Sequence, residues 1–435
     1  MNPSRVSLWA LAVIAGILLL VSANLNWGKR EYTLSIIKSD GKGYYAYLPA
    51  VFIYHDLNFA FYDSLEGKKY YDEHLFYDYR VPYKNKVINK YYCGTALAQF
   101  PFFVLAHAVT RATHADADGY SGWYQIGVSV AAIFWLLFGL LYLEKTLILY
   151  DVPGWARVVV LFVSVFGTHV FYYTVVEPAM SHVYSWAFVS LFVYASKRYF
   201  LRPKPSYLPL LGLALGMVLL IRPVNGLLLL AWPFLAGDVF DLKKGLRNLF
   251  RKPLYTLLGI GLLLALLGLQ IAIYQVAVGE FFVYAYGNER FDFAHPHIVD
   301  ILFSYKKGLF LYTPVLLVSL LGLRYLWRES PFQVWTWLAF FGVLTYVLSS
   351  WWIWYYGGSF SGRVYVEFIP LFMVLLGIVL RDVPLGWARN GYVSILFLLL
   401  VVCQIQTYQY RYYQIHWSDM TREKYWDVFL RPDKI

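Results

Sequence analysis

Long apolar segments without a charged residue constrain this chain more than any other feature. Val158–Val176, Leu254–Val278 and Gly391–Tyr408 each continue without Asp, Glu, Lys or Arg for about the length that spans ~30 Å of hydrocarbon. Only 14% of the 435 residues are charged, against about 25% in an ordinary soluble domain. The sequence therefore predicts an all-α polytopic membrane protein, and it excludes a disordered chain, a collagen and a small disulfide scaffold.

Apolar runs predict about eleven transmembrane helices within a single membrane domain, residues 1–435. The predicted spans are 7–25, 123–143, 158–176, 183–196, 207–221, 224–236, 254–278, 309–323, 333–350, 364–380 and 391–409. The first could be a cleaved signal peptide, but its ~18 apolar residues exceed the usual signal core and favour a retained helix. A twelfth segment, 93–109, is 17 residues long and holds Gly94 and Pro101.

Basic residues decide which way the chain is oriented. If 93–109 does not cross and the N-terminus is cytoplasmic, the five short cytoplasmic connections hold 15 Lys and Arg, and the four short outer connections hold five. If 93–109 crosses, this bias is inverted. The positive-inside rule therefore favours a non-spanning 93–109 segment in the outer leaflet. The net charge of +11 is also explained by basic residues beside the apolar spans, where they meet anionic lipid headgroups. Nucleic-acid binding is therefore not needed to explain it.

Two outer segments follow from this topology. The first outer loop, 26–122, is rich in Tyr, which prefers the headgroup layer, so interfacial helices with little independent core are expected there. The second outer loop, 279–308, is equally aromatic. The predicted spans contain almost no ionisable groups, which argues against ion-coupled transport.

Polar residues instead gather where the outer loops meet helix ends. They are Asp40, Lys90, Glu177, His182, Arg222, Lys306, Lys307, Arg363 and Glu367. This pattern is typical of an active site at the outer membrane–water boundary. Each residue also has a plainer interpretation: Asp40 can cap an interfacial helix, Lys90 can snorkel, and Glu177 can lie at the N-cap of the next helix.

The remaining charges have structural alternatives as well. Arg222 can bind phosphate or a lipid headgroup, and Lys306 and Lys307 can attract the same anion or remain solvated. Arg363 and Glu367 are four residues apart, which on an α-helix predicts an ion pair. The spacings of His, Cys and carboxylates match no zinc pattern, and no P-loop, dinucleotide motif or Ser triad is visible.

Short motifs spread over most of the chain carry a resemblance to a known family. They are Asp40 in the first outer loop, Asn89-Lys90-Tyr91-Tyr92, Gly167-Thr168 with Tyr172-Tyr173 before Glu177-Pro178, Arg222-Pro223, Gly308-Leu309-Phe310 with Thr313-Pro314, and Gly357-Gly358-Ser359-Phe360 with Arg363. In these motifs the chain resembles the GT-C superfamily. Its members are integral-membrane glycosyltransferases that use polyprenyl-phosphate sugars, such as protein O-mannosyltransferases and lipid A aminoarabinose transferases.

The resemblance implies a GT-C-like bundle and a set of roles. Asp40 would be the catalytic base, Glu177 a second catalytic acid, and Lys90 and Arg222 the ligands of the lipid phosphate. Beside these, we expect His182 as a further catalytic residue and Lys306 and Lys307 as further phosphate ligands. The residues expected to position substrate are Tyr44, Tyr45, Tyr91, Arg363 and Glu367. No metal ligand is assigned and no cofactor is required, although a divalent metal stays open.

The sequence also departs from the family pattern at four places. Asp40 is followed by Gly41 rather than a second acid, Glu177 stands where Asp is common, and Arg222-Pro223 stands where Lys-Gly is common. Trp351-Trp352-Ile353 lacks the Asp of the oligosaccharyltransferase signature, which speaks against that branch.

The expected function is transfer of a sugar from a polyprenyl-phosphate donor to an acceptor hydroxyl on a protein, lipid or glycan, with inversion. The expected location is the bacterial inner membrane, among membrane lipids, with the site facing the periplasm and no nucleic-acid partner. Two alternatives stay open at this point. One is a lipid-linked sugar flippase or exporter, and the other is an O-antigen ligase or polymerase that uses diphosphate-linked donors.

Overall fold

The computed structural model describes residues 5–29, 33–431 and 433, and the chain is mainly helical over these residues. The helices are α1 Arg5–Ser22, α2 Asp40–Phe52, α3 Gly94–Ala112, α4 Gly122–Leu149, α5 Gly154–Phe166, α6 Val170–Val175, α7 Ser181–Leu201, α8 Tyr207–Ile221, α9 Trp232–Ala236, α10 Val239–Arg251, α11 Pro253–Val278, α12 Ile298–Phe303, α13 Leu309–Tyr312, α14 Pro314–Ser319, α15 Gly322–Glu329, α16 Pro331–Ser349, α17 Ile369–Asp382, α18 Trp387–Arg411 and α19 Arg422–Val428. Shorter elements are π-turns at Ala23–Trp27 and Leu65–Lys69, a helical turn at Tyr62–Ser64, and 3-10 helices at Pro223–Ala231 and Arg363–Phe368.

Within the described residues, six helical segments are long and apolar enough to cross a membrane. They are Arg5–Trp27, Gly122–Leu149, Pro253–Val278, Pro331–Ser349, Arg363–Asp382 and Trp387–Arg411. The predicted fold class, an all-α polytopic membrane protein, is confirmed, whereas the number of eleven crossings stays a prediction. Of the other predicted spans, 183–196 lies within the continuous helix α7, and the rest coincide with shorter or interrupted helices. Residues 309–323, for example, fall in three pieces, and α14 begins at Pro314, whose ring nitrogen cannot donate a helical hydrogen bond.

Helix α17 lies at the centre of the bundle and α11 at its edge. In the most apolar 18-residue stretch of each segment, 94% of the residues are buried for Arg363–Asp382 and 11% for Pro253–Val278. Helix α11 packs mainly on α8, where Gly212 and Gly259 let the two backbones meet. A Cβ on Gly212 would lie 2.0 Å from the carbonyl oxygen of Gly259. Such small-residue contacts are typical of helix pairs in membranes.

The first outer loop builds an aromatic core of its own. Tyr45, Tyr47 and Tyr62 are buried, and their hydroxyls donate to the backbone oxygens of Gly119 at 2.5 Å, Tyr91 at 2.7 Å and Tyr77 at 3.1 Å, respectively. The expectation of little independent core is therefore wrong. Tyrosine can fill a protein core when its hydroxyl finds an internal acceptor, so these rings need not lie among headgroups.

Two antiparallel strands, β1 Arg80–Tyr83 and β2 Lys86–Asn89, also lie in this loop, where only helices were expected. Helix α3, which contains the 93–109 segment, follows β2 and packs beside the first half of α4. The indole N–H of Trp135, on α4, donates to the backbone oxygen of Ala98 at 2.9 Å. At the start of α3, a Cβ on Gly94 would lie 2.5 Å from the backbone nitrogen of Ile221 at the end of α8. The non-spanning position of this segment stays a prediction.

Candidate active site

A cavity of about 460 Å³ opens where the first outer loop meets the helix ends. Its lining comes from α2, the segments before β1 and after β2, the ends of α7, α8 and α11, the start of the 3-10 helix after α8, the second outer loop, and the segment between α16 and α17. The lining residues are Asp40, Tyr44, Tyr77, Lys90, Tyr91, Tyr92, His182, Ile221, Arg222, Pro223, Val224, Tyr274, Val283, Tyr284, Ala285, Tyr286, Glu289, Phe291, Trp351, Trp352, Ile353, Tyr356, Gly357 and Arg363. Aromatic walls with a few convergent charged groups are characteristic of small-molecule sites.

Asp40 enters this cavity as the first residue of α2. The preceding residue, Ser39, has φ 49°, a backbone conformation that non-glycine residues rarely adopt, and this turn directs the chain into the helix. Gly41 and Gly43 then permit close packing: a Cβ on Gly41 would lie 2.6 Å from the Ala179 Cβ. A Cβ on Gly43 would lie 2.3 Å from the Tyr91 ring. The glycines therefore set α2 against its neighbours and fix the position of Asp40.

Arg363 neutralises the carboxylate of Asp40. Its Nη2 donates to Asp40 Oδ2 at 2.9 Å, from the start of the 3-10 helix that leads into α17. Burial opposes ionisation of Asp40, but the charge of Arg363, a hydrogen bond from Tyr91 and the charge of Lys90 outweigh it, so the Asp40 pKa is lowered. The N-terminus of α2 also favours a carboxylate. Asp40 is consequently an ionised acceptor facing the cavity.

Lys90 lies across the cavity, immediately after β2. Its Nζ contacts Glu289 Oε1 at 2.5 Å and lies 5.3 Å from the centroid of the Tyr286 ring. The neighbouring Asn89 donates to the Gly43 oxygen at 2.7 Å and so ties the hairpin to α2. Lys90 therefore lines the cavity and forms an ion pair with Glu289. This contact does not support the alternative interpretation of Lys90 as a lysine that snorkels to the membrane interface.

Arg222 and His182 share the buried carboxylate of Glu367. His182 Nδ1 lies 3.0 Å from Glu367 Oε1, and Arg222 Nη1 lies 3.5 Å from the same oxygen. Asn225 Nδ2 lies at 3.5 Å as well. Arg222 and His182 line the cavity, whereas Glu367 is fully buried behind them. Glu367 therefore holds a cation at the cavity wall rather than meeting a substrate directly.

The predicted ion pair between Arg363 and Glu367 is wrong. Arg363 bonds to Asp40 and Glu367 bonds to His182 and Arg222. Residues Arg363–Phe368 form a 3-10 helix, in which positions three apart eclipse and positions four apart point in different directions. The spacing of four brings two side chains together only on an α-helix.

Glu177 lies outside the cavity lining. The alternative that it lies at the N-cap of α7 is wrong, because the N-cap residue is Met180. Helix α7 begins at Ser181 after a turn in which the Met180 N–H donates to the Glu177 oxygen at 3.1 Å. The Glu177 carboxylate instead accepts from the Tyr172 hydroxyl at 3.0 Å. Its catalytic role stays a prediction with no direct contact to the cavity.

Lys306 and Lys307 do not line the cavity either. Lys307 is buried, donates to the Ser359 backbone oxygen and lies 5.0 Å from the centroid of the Tyr410 ring. Burial lowers the pKa of Lys307 well below its ordinary value. Lys306 lies 3.6 Å from the centroid of the Tyr355 ring. Both lysines contact protein groups, so their assignment to lipid phosphate has no support from the cavity.

Of the three predicted positioning tyrosines, two line the cavity. Tyr44 and Tyr91 pack against each other with ring centroids 4.5 Å apart. Tyr45 lies one residue further along α2 on the opposite side, within the aromatic core of the outer loop, with Phe103 and Tyr120. The helical rotation of about 100° per residue separates neighbours that the sequence treats as a pair.

The sequence did not single out several cavity residues. Glu289, Tyr77 and Tyr356 lie in the lining, together with Trp351 and Trp352. In the sequence the two Trp stand out only for their likeness to the oligosaccharyltransferase signature. Glu289 stands in an aromatic loop, and no spacing links it to Lys90, 199 positions earlier. Only the fold brings the two together.

No metal-binding cluster is evident in the part of the chain that the structure describes. Residues 5–29, 33–431 and 433 contain no group of three or more His, Cys, Asp or Glu side chains placed to hold an ion. The charges that line the cavity are an Asp, a Glu, a Lys and two Arg. The expectation that no cofactor is needed stays a prediction.

Comparisons with known proteins give a similarity to solved structures. No protein-family profile and no curated protein matches the chain. Among solved structures, the chain is similar to the archaeal oligosaccharyltransferase AglB from Archaeoglobus fulgidus in complex with an inhibitory peptide and a dolichol-phosphate, with a TM-score of 0.42 and 11% sequence identity. The match covers 97% of this chain and 57% of that chain, so the chain spans little more than half of the length of AglB.

Proposed function

We propose that this protein is a membrane glycosyltransferase that moves a sugar from a polyprenyl-phosphate donor to an acceptor hydroxyl. One observation carries the proposal: a single cavity brings Asp40 together with Lys90, Arg222 and Arg363 at one end of an apolar helical bundle. A carboxylate that can take a proton and cations that can bind a phosphate are the groups such a transfer needs. The motif resemblance to the GT-C superfamily points to the same reaction.

In this reaction Asp40 is the general base. The acceptor oxygen attacks the anomeric carbon, its proton passes to Asp40, and the bond from that carbon to the phosphate oxygen breaks with inversion. The pair with Arg363 keeps Asp40 ionised and therefore able to accept a proton, although the lowered pKa makes it a weaker base. A positioned general base contributes about 10²–10⁴ in rate.

Lys90 and Arg222 bind the phosphate of the donor. Charge develops on the phosphate oxygen as it leaves, and cationic donors fixed around that oxygen stabilise the transition state. Arg222 is held by the buried carboxylate of Glu367, so its guanidinium can form two parallel hydrogen bonds without first being ordered. Because the phosphate charge is met by side chains, the proposal requires no metal ion.

The cavity lies where the predicted topology places the outer face of the bacterial inner membrane. The polyprenyl tail would lie in the bilayer beside the bundle, and the acceptor would approach from the periplasm. The acceptor is a protein, a lipid or a glycan. Mass spectrometry of the envelope glycans lost when the gene is deleted would identify both the sugar and its acceptor.

The substitution Asp40→Asn tests the proposal. Membranes from a strain that lacks the gene serve as acceptor, and a panel of radiolabelled polyprenyl-phosphate hexoses and pentoses serves as donor to the purified protein. We expect Asp40→Asn to lower transfer about 10²–10⁴-fold while farnesyl phosphate still binds. Asp116→Asn is the matched control, because Asp116 is ion-paired in the same outer loop but lies outside the cavity lining.

Three outcomes would contradict the proposal. Near-normal turnover by Asp40→Asn would remove Asp40 from the mechanism. Movement of labelled lipid-linked sugar across vesicle membranes without any modified acceptor would indicate a flippase instead. Transfer from a diphosphate-linked donor that polyprenyl monophosphate does not inhibit would indicate a ligase or polymerase.

A further inference from the structure

Each cation in the cavity lining contacts a carboxylate. Arg363 pairs with Asp40, Arg222 pairs with Glu367, and Lys90 pairs with Glu289. Lys90, Arg222 and Arg363 are thus formally balanced by three carboxylates within the described residues of the site. A phosphate adds negative charge to this balanced set, so it binds more tightly if one of these carboxylates leaves its partner.

Two of the three carboxylates are held firmly. Glu367 is fully buried and bonds to His182 as well as to Arg222, so removing it from Arg222 would leave a buried charge without a partner. Asp40 is fixed at the start of α2 and is needed there as the base. Neither can move aside without dismantling the site.

Glu289 differs from them in its position and its packing. It is the last residue of a turn that begins at Tyr286 in the second outer loop, and its side chain is 26% exposed. Gly287, within this turn, has φ 57°, and a Cβ placed on it would meet no atom within 4 Å, so the turn has space around it. The base of the loop is anchored, because Phe291 pairs with Trp351 as a short antiparallel bridge.

The contact between Glu289 and Lys90 therefore has a chemical consequence. The Lys ammonium is a point charge on a flexible side chain. A carboxylate oxygen and a phosphate oxygen can each accept a hydrogen bond from it and balance its charge. Glu289 Oε1 already lies 2.5 Å from Lys90 Nζ, so a phosphate that binds Lys90 must compete with it. The cation–ring contact with Tyr286, on the same loop, keeps Lys90 oriented towards the cavity.

We propose that Glu289 is a displaceable counter-ion for Lys90, whose place is taken by the phosphate of an incoming polyprenyl monophosphate. This inference rests on the assignment of Lys90 to the donor phosphate in the proposed function. The exchange restores the charge balance of the cavity. It also makes Glu289 a specificity-determining residue: an uncharged lipid cannot displace a carboxylate from an ammonium group, so it gains nothing from Lys90.

Binding of farnesyl phosphate to the purified full-length protein tests this competition, with farnesol as the uncharged probe. We expect Glu289→Gln to tighten farnesyl phosphate binding about 3–10-fold, since a partly exposed ion pair contributes about 1 kcal/mol. Farnesol binding should not change. Glu280→Gln is the matched control. Glu280 lies in the same outer loop as Glu289 and pairs with Lys84, but it lies outside the cavity lining.

A double substitution separates charge competition from a looser loop. In a Lys90→Met background, farnesyl phosphate should bind more weakly, and adding Glu289→Gln should change its affinity less than twofold. Glu289→Asp, which keeps the charge, should stay close to the wild type. Melting temperatures of all variants show whether each one is folded.

The inference would be overturned by unchanged binding in Glu289→Gln, by equal tightening for farnesol, by tightening that persists without Lys90, or by no phosphate-dependent binding to the wild type. These measurements involve no sugar transfer. A Lys90-dependent effect would therefore stand even if Asp40→Asn retained activity, and a failure here would leave Asp40 untouched as the base.

Discussion

Asp40 illustrates how one neighbour determines the chemistry of a residue. Burial by itself would raise its pKa, but Arg363 lies 2.9 Å away and is the strongest opposing influence. The ionised form exists above the pKa, so a lowered pKa extends the active range towards acid. The sequence marked Asp40 as a candidate, yet nothing in it connects Asp40 with a residue 323 positions later.

The substitution Arg363→Met should raise the Asp40 pKa, because burial then acts with less opposition. We expect the acid limb of the pH dependence of kcat/KM to move to higher pH, together with a loss of about 10²-fold or more on the plateau. Arg363→Lys, which keeps the positive charge, should move the acid limb less than Arg363→Met does. An acid limb that stays in place would show that Asp40 is not the group that titrates.

Glu367 should be important for both stability and donor binding. Glu367→Ala removes the shared partner of His182 and Arg222, and breaking a buried ion pair from one side costs about 3–5 kcal/mol. We expect a lower melting temperature in detergent and a higher KM for the donor, because Arg222 loses the group that holds it. Asp63→Asn, at an exposed pair with Arg80, is the control and should leave both values unchanged.

At the scale of elements, the packing of α2 depends on two glycines. Gly43→Ala would place a methyl group 2.3 Å from the Tyr91 ring and 2.8 Å from the Tyr79 Cβ. Overpacking of this kind typically costs about 1–3 kcal/mol, and it would also displace Tyr91, which bonds to Asp40. We expect reduced thermal stability together with at least a tenfold loss of transfer.

Gly67→Ala provides the comparison for this prediction. Gly67 lies in the same outer loop, and its nearest atom would be 3.6 Å from the added Cβ, which is ordinary contact. This variant should keep the stability and the activity of the wild type. If Gly43→Ala behaves like Gly67→Ala, the close approach of α2 to Tyr91 is not needed for the site.

Element type also explains which pairings could be predicted. The apolar runs predicted the positions of the long helices, because burial of a helix in hydrocarbon requires a continuous apolar stretch. They could not predict that residues 363–368 wind as a 3-10 helix, since that depends on how the chain enters the packed centre of the bundle. The error in pairing Arg363 with Glu367 follows from this one local difference.

At the scale of the whole molecule, the surface of the end away from the cavity bears on the orientation. The end away from the cavity carries α10, where Phe240 and Phe250 are exposed beside Lys243, Lys244 and Arg247. Exposed aromatic residues next to basic residues are typical of a helix that lies among anionic headgroups. This supports the proposed orientation, in which α10 faces the cytoplasm and the cavity faces outwards.

Cysteine labelling tests that orientation. In a chain whose Cys93 and Cys403 are replaced by Ser, Asp116→Cys and Asn288→Cys should react with an impermeant maleimide in intact cells. Lys244→Cys should react only after the cells are permeabilised. The reverse pattern for all three would contradict this orientation for the chain after the 93–109 segment.

The sequence by itself determined that the chain is a polytopic helical membrane protein, and it indicated that chemistry lies at one end of the bundle. Both follow from local physics, because charge-free runs must be in hydrocarbon and ionisable groups must stay near its edge. Only the tertiary structure decided which of those groups meet. It brought Asp40 to Arg363 and Lys90 to Glu289, and it left Glu177, Lys306 and Lys307 outside the cavity lining. Ion pairs between distant segments depend on packing at ångström precision, and neither spacing nor composition encodes that packing.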